Sequence, residues 1–349
     1  MSVGEPIGRN LAMDLVRVTE AAAMAAARFM GRGDKEAADQ AAVDAMRYVL
    51  GSVDMDGVVV IGEGEKDEAP MLFIGEEIGN RHGPQTDIAV DPIDGTRLLA
   101  NGSPNALAVV ALSERGTMLR VPREIVYMEK IAVGPEARGA IDIAAPVAHN
   151  LAAVARASGK AVSELTVVIL DRPRHQQIIA DVRAAGARLR LITDGDVAGA
   201  IMAAMEEFSG IDMLLGTGGA PEAVIAASAL KCLGGDMQCR FAPRNDGEAA
   251  AALAAGFADG RVFSIDDLVC GDDIFFAATG ITDGELVHGV RYTGPRVTTE
   301  SIVMRCRSGS IRRIFASHNP DKLDQISEIS YSGENTAQAP RSAGGGARY

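Results

Sequence analysis

The sequence Asp91-Pro92-Ile93-Asp94-Gly95-Thr96 directly follows an apolar run at residues 86–90. This run predicts a strand that enters a core, so two carboxylates and a hydroxyl come at the end of a buried strand. Pro92 restricts Asp91 to extended geometry, and Gly95 permits a tight turn against a ligand. Carboxylates crowded at the mouth of a core repel one another unless a cation lies between them. The turn therefore predicts a divalent metal ion and phosphate chemistry.

The composition is that of a globular protein without a membrane span. The 349 residues are enough for one large or two ordinary domains, and 47% of them are hydrophobic against 23% charged. The chain has no run of about 18 apolar residues, which argues against a spanning helix. Residues 1–10 lack the apolar core of a signal peptide, so we expect a cytoplasmic protein.

The charge balance argues against a nucleic-acid partner. A net charge of −13 offers no basic face to a phosphate backbone, and aromatic residues at 4% without any Trp are too few for base stacking. A phosphorylated metabolite remains compatible, because a metal ion and a few arginines can reverse the local field. The four cysteines include no C-x-x-C pair, so we expect free thiols in a reducing compartment.

Two helices are predicted near the N-terminus. Residues 11–30 carry an apolar stripe, and Asp34 is placed to cap a second helix that ends near Leu50. Asp39 lies on the same face as the apolar stripe of the second helix, one turn after Lys35. Two interpretations stay open at this point. Asp39 forms a surface ion pair with Lys35, which the helix start favours, or it is a carboxylate that needs a cation.

The later part of the chain changes in pattern. Further strands are predicted at residues 57–61, 107–112 and 124–133. After about residue 145, helices and strands alternate, which predicts parallel strands with crossover helices. We therefore expect an N-terminal domain of residues 1–145 with the metal and phosphate site, and a C-terminal α/β substrate-binding domain of residues 146–331. Residues 332–349 are rich in Ser, Gly and Ala and predict a disordered tail.

Polar loops follow several strands, at the position where ligands bind in open α/β sheets. They contain Glu63, Asp171-Arg172-Pro173-Arg174-His175, Thr193-Asp194-Gly195-Asp196 and the run from Gly216 to Glu222. Glu222 stands at a helix start, where it either binds a metal ion or interacts with the helix dipole, and both interpretations stay open. A lone histidine such as His175 is more often a hydrogen-bonded structural residue, so we leave it outside the site.

Metal-assisted phosphate hydrolysis needs carboxylates for Mg²⁺ or Mn²⁺, an activated water and donors for the phosphate. The candidate carboxylates lie at strand or loop ends and on one helix: Glu63, Asp91, Asp94, Glu222 and Asp39. Gly95 and Thr96 offer backbone and hydroxyl donors, and Arg172 and Arg174 can bind a second anionic group. The loop at residues 216–222 does not fit G-x-G-x-x-G, and the absence of G-x-x-x-x-G-K-[ST] argues against a nucleotide triphosphatase.

The first motif belongs to a larger pattern. Residues 91–96 are similar to the Asp-Pro-Ile/Leu-Asp/Glu-Gly-Thr motif of the lithium-sensitive, metal-dependent phosphatase superfamily. More closely, the chain resembles the class II fructose-1,6-bisphosphatases of bacteria, from about Asn10 to Asn319. Many separate segments match in fixed order, which makes the resemblance specific. They are Gly31-Arg32-Gly33-Asp34-Lys35 with Asp39, Ile61-Gly62-Glu63-Gly64-Glu65, Asp67-Glu68-Ala69-Pro70-Met71-Leu72, Tyr127-Met128-Glu129-Lys130, Arg172-Pro173-Arg174-His175, Asp194-Gly195-Asp196 and Gly218-Gly219-Ala220-Pro221-Glu222.

The resemblance implies both a fold and a reaction. The fold is mixed α/β, a layered α-β-α-β-α sandwich of the sugar and inositol phosphatase type. The reaction is hydrolysis of the 1-phosphate of fructose 1,6-bisphosphate to fructose 6-phosphate and phosphate, in gluconeogenesis or, in an autotroph, the Calvin cycle. Mg²⁺ or Mn²⁺ is the implied cofactor.

The resemblance also implies roles for individual residues. Metal binding falls to Asp39, Glu63, Asp91 and Glu222, which favours the cation interpretation of Asp39. Substrate contacts fall to Asp94, Gly95, Thr96, Tyr127, Arg172, Pro173, Arg174, Asp194, Gly195, Asp196 and Gly219. Thr96, helped by Asp67, positions or activates the attacking water, Asp94 also takes part in catalysis, and Lys35 supports the acidic cluster.

Two positions depart from the family patterns. Ala223 follows Glu222 where class II members usually have Gly. The Trp-Asp-x-x-Ala element of the wider superfamily is absent, and Pro221-Glu222 stands in its place. The second departure favours the class II group over inositol monophosphatases.

Alternative functions stay compatible with these residues. Sedoheptulose 1,7-bisphosphatase is one, alone or as a second activity, because the two sugars share their phosphate chemistry and differ by one carbon. Inositol phosphatase and a non-catalytic sugar-phosphate sensor are less favoured, the sensor because all four metal ligands are present. We expect a sugar bisphosphate as the small-molecule partner and a homodimer or homotetramer, with no nucleic-acid or membrane partner.

Overall fold

The computed structural model describes residues 10–64, 71–122, 125–257 and 260–332. Within these residues the strands form two sheets. The predicted disordered tail lies almost wholly outside the described residues and stays a prediction.

The first sheet has eight strands, in the order β12-β13-β11-β4-β3-β1-β2, with β14 also paired to β13. Strands β1 and β3 are parallel, and the other pairs are antiparallel. The strands are β1 (Asp56–Ile61), β2 (Glu77–Ile78), β3 (Gln85–Asp94), β4 (Leu107–Glu114), β11 (Phe275–Gly280), β12 (Arg291–Thr293), β13 (Arg296–Arg305) and β14 (Ser310–His318).

The second sheet has six strands, in the order β10-β9-β5-β8-β6-β7. Strand β6 is parallel to both β7 and β8, which confirms the predicted parallel strands in this region, and the remaining pairs are antiparallel. The strands are β5 (Tyr127–Val133), β6 (Thr166–Leu170), β7 (Arg188–Ile192), β8 (Met213–Gly219), β9 (Asp236–Phe241) and β10 (Val262–Ser264).

Eleven α-helices lie in the described residues. They are α1 (Ala12–Ala27), α2 (Lys35–Leu50), α3 (Thr96–Asn101), α4 (Val147–Ser158), α5 (Gln176–Ala184), α6 (Asp196–Ala204), α7 (Glu206–Ser209), α8 (Ala220–Leu233), α9 (Asp246–Ala254), α10 (Ile265–Leu268) and α11 (Pro320–Ile326). The two predicted N-terminal helices are confirmed, and Asp34 caps α2 by accepting a hydrogen bond from the Ala37 backbone N–H.

The sheets and helices stack in five layers. One core cluster joins α1 and α2 to a face of the first sheet, a second joins the opposite face to α6, α8 and the second sheet, and a third joins the far face of the second sheet to α4 and α5. In β3, Ile88 and Val90 belong to the first cluster, while Ala89 between them belongs to the second. Since both faces are covered, the strand is a continuous apolar run. The layered α-β-α-β-α sandwich is confirmed.

The predicted division near residue 145 is not the place where the chain changes sheets. Strand β5 pairs in the second sheet, and the chain returns to the first sheet at β11. The first sheet is thus built from both ends of the described chain, and the second sheet from its middle. The domain division itself stays a prediction.

None of the helices in the described residues combines the length and the apolarity that crossing a bilayer needs.

Glu20 is a buried carboxylate inside the first helical layer. It lies in α1 with only 7% of its surface exposed, and Thr299 Oγ1 donates a hydrogen bond of 3.1 Å to its Oε1. Burial raises the pKa of Glu20 to about 7, although Thr299 and Arg17 act in the opposite direction. Because the folded-state pKa exceeds the unfolded value, the folded protein binds the proton more tightly than the unfolded chain does.

We expect Glu20 to make the free energy of unfolding depend on pH. Its contribution is fully present below about pH 4.5 and is lost as the pH rises through about 7, a change on the order of 2–3 kcal/mol. In Glu20→Gln the amide oxygen can still accept from Thr299, but no proton is released. Urea unfolding between pH 4.5 and 8 should show a smaller loss of stability in this variant than in the wild type. Parallel curves for the two proteins would contradict the assignment.

Candidate functional site

A cleft of about 590 Å³ opens where the ends of both sheets meet, and most of the predicted site residues line it. They come from the loop after β1, the end of β3, the start of β5, the loops after β6 and β7, and the junction of β8 with α8. The predicted residues on its wall are Glu63, Asp91, Asp94, Gly95, Thr96, Tyr127, Arg172, Arg174, Asp194, Gly195, Asp196, Gly219 and Glu222. Residues more than a hundred positions apart in sequence therefore share one cavity.

Three of the predicted site residues that the structure describes are not on this wall. Asp39 lies behind Thr96, Lys35 is exposed at the start of α2, and Pro173 is exposed beside the arginines of its loop. Asp67 lies outside the described residues, so its predicted role stays a prediction.

A bulge in β3 produces the local shape of the turn. The pairing of β3 with β4 shifts between Asp91 and Asp94, so that three steps along β3 oppose two steps along β4. A bulge bends its strand and changes the direction of side chains, which takes both aspartates out of the regular alternation. Gly95 follows with a φ of 91°, in the left-handed region that favours glycine, and Thr96 begins α3.

Hydrogen bonds from the backbone hold the two aspartates in place. The Ile93 N–H donates to Asp91 Oδ1 at 3.0 Å, within the turn itself. The Ala198 N–H, in the first turn of α6, donates to Asp94 Oδ2 at 3.1 Å. The second contact joins the turn of the first sheet to the helical layer between the sheets.

Thr96 connects the turn to helix α2. Its Oγ1 is 3.3 Å from Asp39 Oδ1 and 3.3 Å from the Ile93 carbonyl oxygen, and can donate to either. Burial raises the pKa of Asp39, and the hydrogen bond from Thr96 and the charge of Lys35 partly offset this effect. Asp39 therefore contacts Thr96 on the cleft wall, so its environment is more than that of a surface ion pair with Lys35.

The carboxylates around the cleft raise one another's pKa. Burial has the largest effect on Asp91 and raises its pKa well above the usual value, and the charges of Asp94, Glu63 and Glu222 add to it. The same holds for Asp94, with burial first and Asp196 next. Repulsion of this kind shows that the carboxylates share one region of space.

Glu63 completes this group from the loop after β1. Its side chain keeps contact with solvent at the cleft mouth. Crowding by protein atoms nevertheless limits its hydration and, with the charges of Asp39 and Glu222, raises its pKa to about 7.

Glu222 shows the strongest sign of a missing cation partner. Its Oε2 is buried and has no hydrogen-bond partner among the described residues. Burial raises its pKa, Asp196 adds to the rise, and Lys130 opposes it. The Oε2 lies against Gly219, where an added Cβ would come within 1.8 Å of it. A buried carboxylate oxygen without a partner is costly unless a cation binds it.

The carboxylates do not form a closed ligand set. Within the described ranges, no three His, Cys, Asp or Glu side chains are grouped closely enough to hold a metal ion. The chemistry of the donors and the unpartnered oxygen of Glu222 nevertheless fit a divalent cation.

Lys130 supplies a buried positive charge beside this acidic group. It is 2% exposed in β5, and its Nζ lies 2.6 Å from Asp196 Oδ2. An added Cβ at Gly218 would come within 1.7 Å of the same oxygen, so the pair needs glycine there. The sequence pointed to Lys130 only as part of the matching segment at residues 127–130, and this role was not predicted. The signal that could have found it is a charged residue in a strand whose other residues are mostly buried.

Two arginines also lie on the wall of the cleft. Arg172 lies 3.3 Å from Asp194 Oδ1, and the Arg97 backbone N–H donates to the other oxygen of Asp194. Arg174 donates to the Thr217 carbonyl oxygen through Nε and Nη2, at 3.1 and 2.7 Å. These contacts hold the guanidinium groups at the cleft while leaving other N–H donors free for a ligand.

His175 has a structural role, as predicted. It is fully buried, its Nδ1 lies 2.6 Å from the Leu170 carbonyl oxygen, and the Thr217 N–H donates to its Nε2. Both ring nitrogens are therefore used in joining the loop after β6 to β8. Burial lowers the pKa of His175, so the ring stays neutral at physiological pH.

Known proteins are similar to this chain over most of its length. A family model described as "Bacterial fructose-1,6-bisphosphatase, glpX-encoded" matches residues 9–318. The chain belongs to this family. It is 47% identical over 334 residues to fructose-1,6-bisphosphatase 1 class 2 of Escherichia coli K12, covering 92% of this chain and 98% of that protein. The same values hold for the class 2 fructose-1,6-bisphosphatases of Escherichia coli O6:H1 and Shigella flexneri.

The predicted class II fructose-1,6-bisphosphatase family is thereby confirmed, and its members are phosphatases that hydrolyse a phosphate ester. They depend on metal ions in general. The placement in the lithium-sensitive superfamily stays a prediction, as do the roles of the individual site residues.

We expect Lys130→Met to lower the free energy of unfolding by about 3–5 kcal/mol, because it leaves the carboxylate of Asp196 buried without its partner. The double variant Lys130→Met with Asp196→Asn removes the unpaired charge and should recover part of this loss. Urea unfolding of the wild type, both single variants and the double variant measures the coupling between the two side chains. Additive effects would show that the pair is not coupled.

Proposed function

We propose that this protein is a fructose-1,6-bisphosphatase that hydrolyses the 1-phosphate of fructose 1,6-bisphosphate to fructose 6-phosphate and phosphate. The observation that carries the proposal is that one cleft holds both kinds of group that a sugar bisphosphate needs. Its wall includes the carboxylates Glu63, Asp91, Asp94 and Glu222 and also the arginines Arg172 and Arg174. A sugar with a phosphate at each end fits this arrangement, since one phosphate meets the metal site and the other meets the arginines. Family membership supports the same activity.

Asp39, Glu63, Asp91 and Glu222 would hold the divalent metal ion, with Mg²⁺ or Mn²⁺ as the proposed ions. Oxygen ligands of this kind suit either ion. When bound, the metal supplies an activated water and charge stabilisation for the leaving oxygen. Glu222 would contribute its Oε2, which has no other partner among the described residues. Asp39 would contribute a carboxylate oxygen from α2, where its contact with Thr96 holds it beside the turn.

The reacting phosphate would lie at the turn after β3. Thr96 Oγ1 would orient the attacking water by accepting a hydrogen bond from it, because its own hydrogen is donated to Asp39 or to the Ile93 carbonyl oxygen. Asp94 stays anchored to Ala198 and is proposed to assist in proton movement, since its raised pKa makes proton uptake easier. Asp67 is proposed to help Thr96 to position or activate the water. Lys35 is proposed to offset part of the negative charge of the acidic group.

The sugar and the distal phosphate would occupy the rest of the cleft. Asp194 and Asp196, on either side of Gly195, would accept hydrogen bonds from sugar hydroxyl groups. The distal phosphate would bind the guanidinium groups of Arg172 and Arg174, next to the ring of Tyr127. Pro173 and Gly219 are proposed to contact substrate through their backbone. The cytoplasmic location and the homodimer or homotetramer stay proposals that rest on the sequence.

We expect Gly219→Ala to weaken metal binding by tenfold or more, because the new Cβ would displace the Glu222 carboxylate. Titration of the apo-protein with Mn²⁺ by calorimetry measures this directly, without turnover. Gly51→Ala is the matched control, since its Cβ would come no closer than 3.4 Å to any atom. Unchanged Mn²⁺ affinity in Gly219→Ala would remove Glu222 from the proposed ligand set.

Phosphate release is the central test of the function. Fructose 1,6-bisphosphate, sedoheptulose 1,7-bisphosphate and inositol 1-phosphate should each be assayed with Mg²⁺ and with Mn²⁺. We expect turnover of fructose 1,6-bisphosphate, and loss of at least three orders of magnitude in Asp91→Asn without loss of fold, because a metal ligand is removed. Asp321→Asn, an exposed aspartate on α11, is the control and should keep full activity. No release from either sugar bisphosphate would refute the proposal.

A further inference from the structure

Tyr127 on the wall of the cleft is contacted by two arginines. The guanidinium carbon of Arg174 lies 4.9 Å from the centroid of the Tyr127 ring, and that of Arg244 lies 5.6 Å from it. Tyr127 and Arg174 line the cleft, and Arg244 does not. Arg244 comes from a different segment, between β9 and α9, which the sequence did not connect with the site. Its contact with the ring brings a third guanidinium group next to a residue of the cleft wall.

The other two arginines are partly committed to the protein itself. Arg174 uses Nε and one terminal nitrogen on the Thr217 carbonyl oxygen, and Arg172 uses a terminal nitrogen on Asp194. A phosphate dianion offers three acceptor oxygens and is best held by several charged donors. Because only part of the donors of Arg172 and Arg174 is available, a third guanidinium group can bind the same phosphate.

Arg244 is held in a way that allows exchange. Its Nε donates to Glu248 Oε1 at 2.7 Å, its Nη2 lies 2.5 Å from the same oxygen, and Glu248 also accepts from the Arg244 backbone N–H. The Arg244 side chain is 53% exposed, whereas that of Glu248 is 11% exposed. Since water screens the guanidinium end of the pair, the pair contributes only a modest free energy, and a phosphate dianion can compete with the carboxylate for Arg244.

We propose that Arg244 binds the distal phosphate of the sugar bisphosphate. When substrate fills the cleft, Arg244 exchanges its ion pair with Glu248 for a contact with this phosphate. The inference rests on the proposed function and extends its substrate site by a residue from the segment after β9. Glu248 is then a competitor that holds Arg244 over Tyr127 in the absence of substrate. Arg244 would recognise the second phosphate and would have no part in cleavage of the first.

The test compares a bisphosphate with a monophosphate. In Arg244→Met, we expect KM for fructose 1,6-bisphosphate to rise roughly five- to twentyfold with kcat nearly unchanged, since a charged contact to the bound substrate is lost. KM for fructose 1-phosphate, which lacks the distal phosphate, should stay within twofold of the wild type. Glu248→Gln should lower KM for the bisphosphate, because the competing carboxylate charge is removed.

Arg261→Met is the matched control. Arg261 also lies over an aromatic ring, 4.6 Å from the centroid of Phe263, and its Nη2 lies 3.2 Å from Asp267 Oδ1. Phe263 is not on the wall of the cleft, whereas Tyr127, the ring that Arg244 contacts, is. We expect this variant to leave KM for both substrates unchanged.

The possible outcomes separate the two proposals. If the wild type cleaves the bisphosphate but Arg244→Met keeps the same KM, the role of Arg244 is refuted and the proposed function stands. If KM rises equally for the bisphosphate and the monophosphate, Arg244 only supports Tyr127, and the inference is also refuted. If the wild type releases no phosphate from the bisphosphate, the proposed function is refuted, and the role of Arg244 is refuted with it.

Discussion

Repulsion among the carboxylates of the cleft is the electrostatic cost that the packing of this protein must overcome. Glu63, the turn with Asp91 and Asp94, and Glu222 approach one another from three segments, and burial and mutual repulsion raise the pKa of each of these carboxyl groups. Nothing local would hold them together. The packed layers do so, because β3 is covered on both faces by apolar clusters and α8 lies in the layer between the sheets. The free energy of core burial thus maintains an acidic site that is unfavourable without a cation.

The positive charges near the cleft neutralise its carboxylates only in part. Lys130 is buried beside Asp196 and counters part of the negative charge from within β5. Arg172 and Arg174 lie on the same cleft wall, each with a fixed protein partner. The cleft therefore offers oxygen ligands for a cation and charged donors for an anion.

The local features were predictable because their causes lie within a few residues. The cap of α2 at Asp34 and the strand that leads into the Asp91 turn follow from short patterns, and the structure confirms both. Lys130 and Arg244 were not recognised, because their importance comes from partners far away in the chain. The change of sheets at β5 and β11 escaped prediction for the same reason: strand pairing depends on contacts that no local pattern contains.

The order of residues already defines the chemical groups of the site: the carboxylates, the hydroxyl of Thr96, the glycines at tight turns and the paired arginines of one loop. Together with the fixed order of its motifs, this was enough to predict the family. Which groups meet depends on the packing between layers, through which Asp39 reaches Thr96 and Asp196 reaches Lys130. Packing is needed because electrostatic interactions act over a few ångströms in space, whereas a sequence records only distance along the chain.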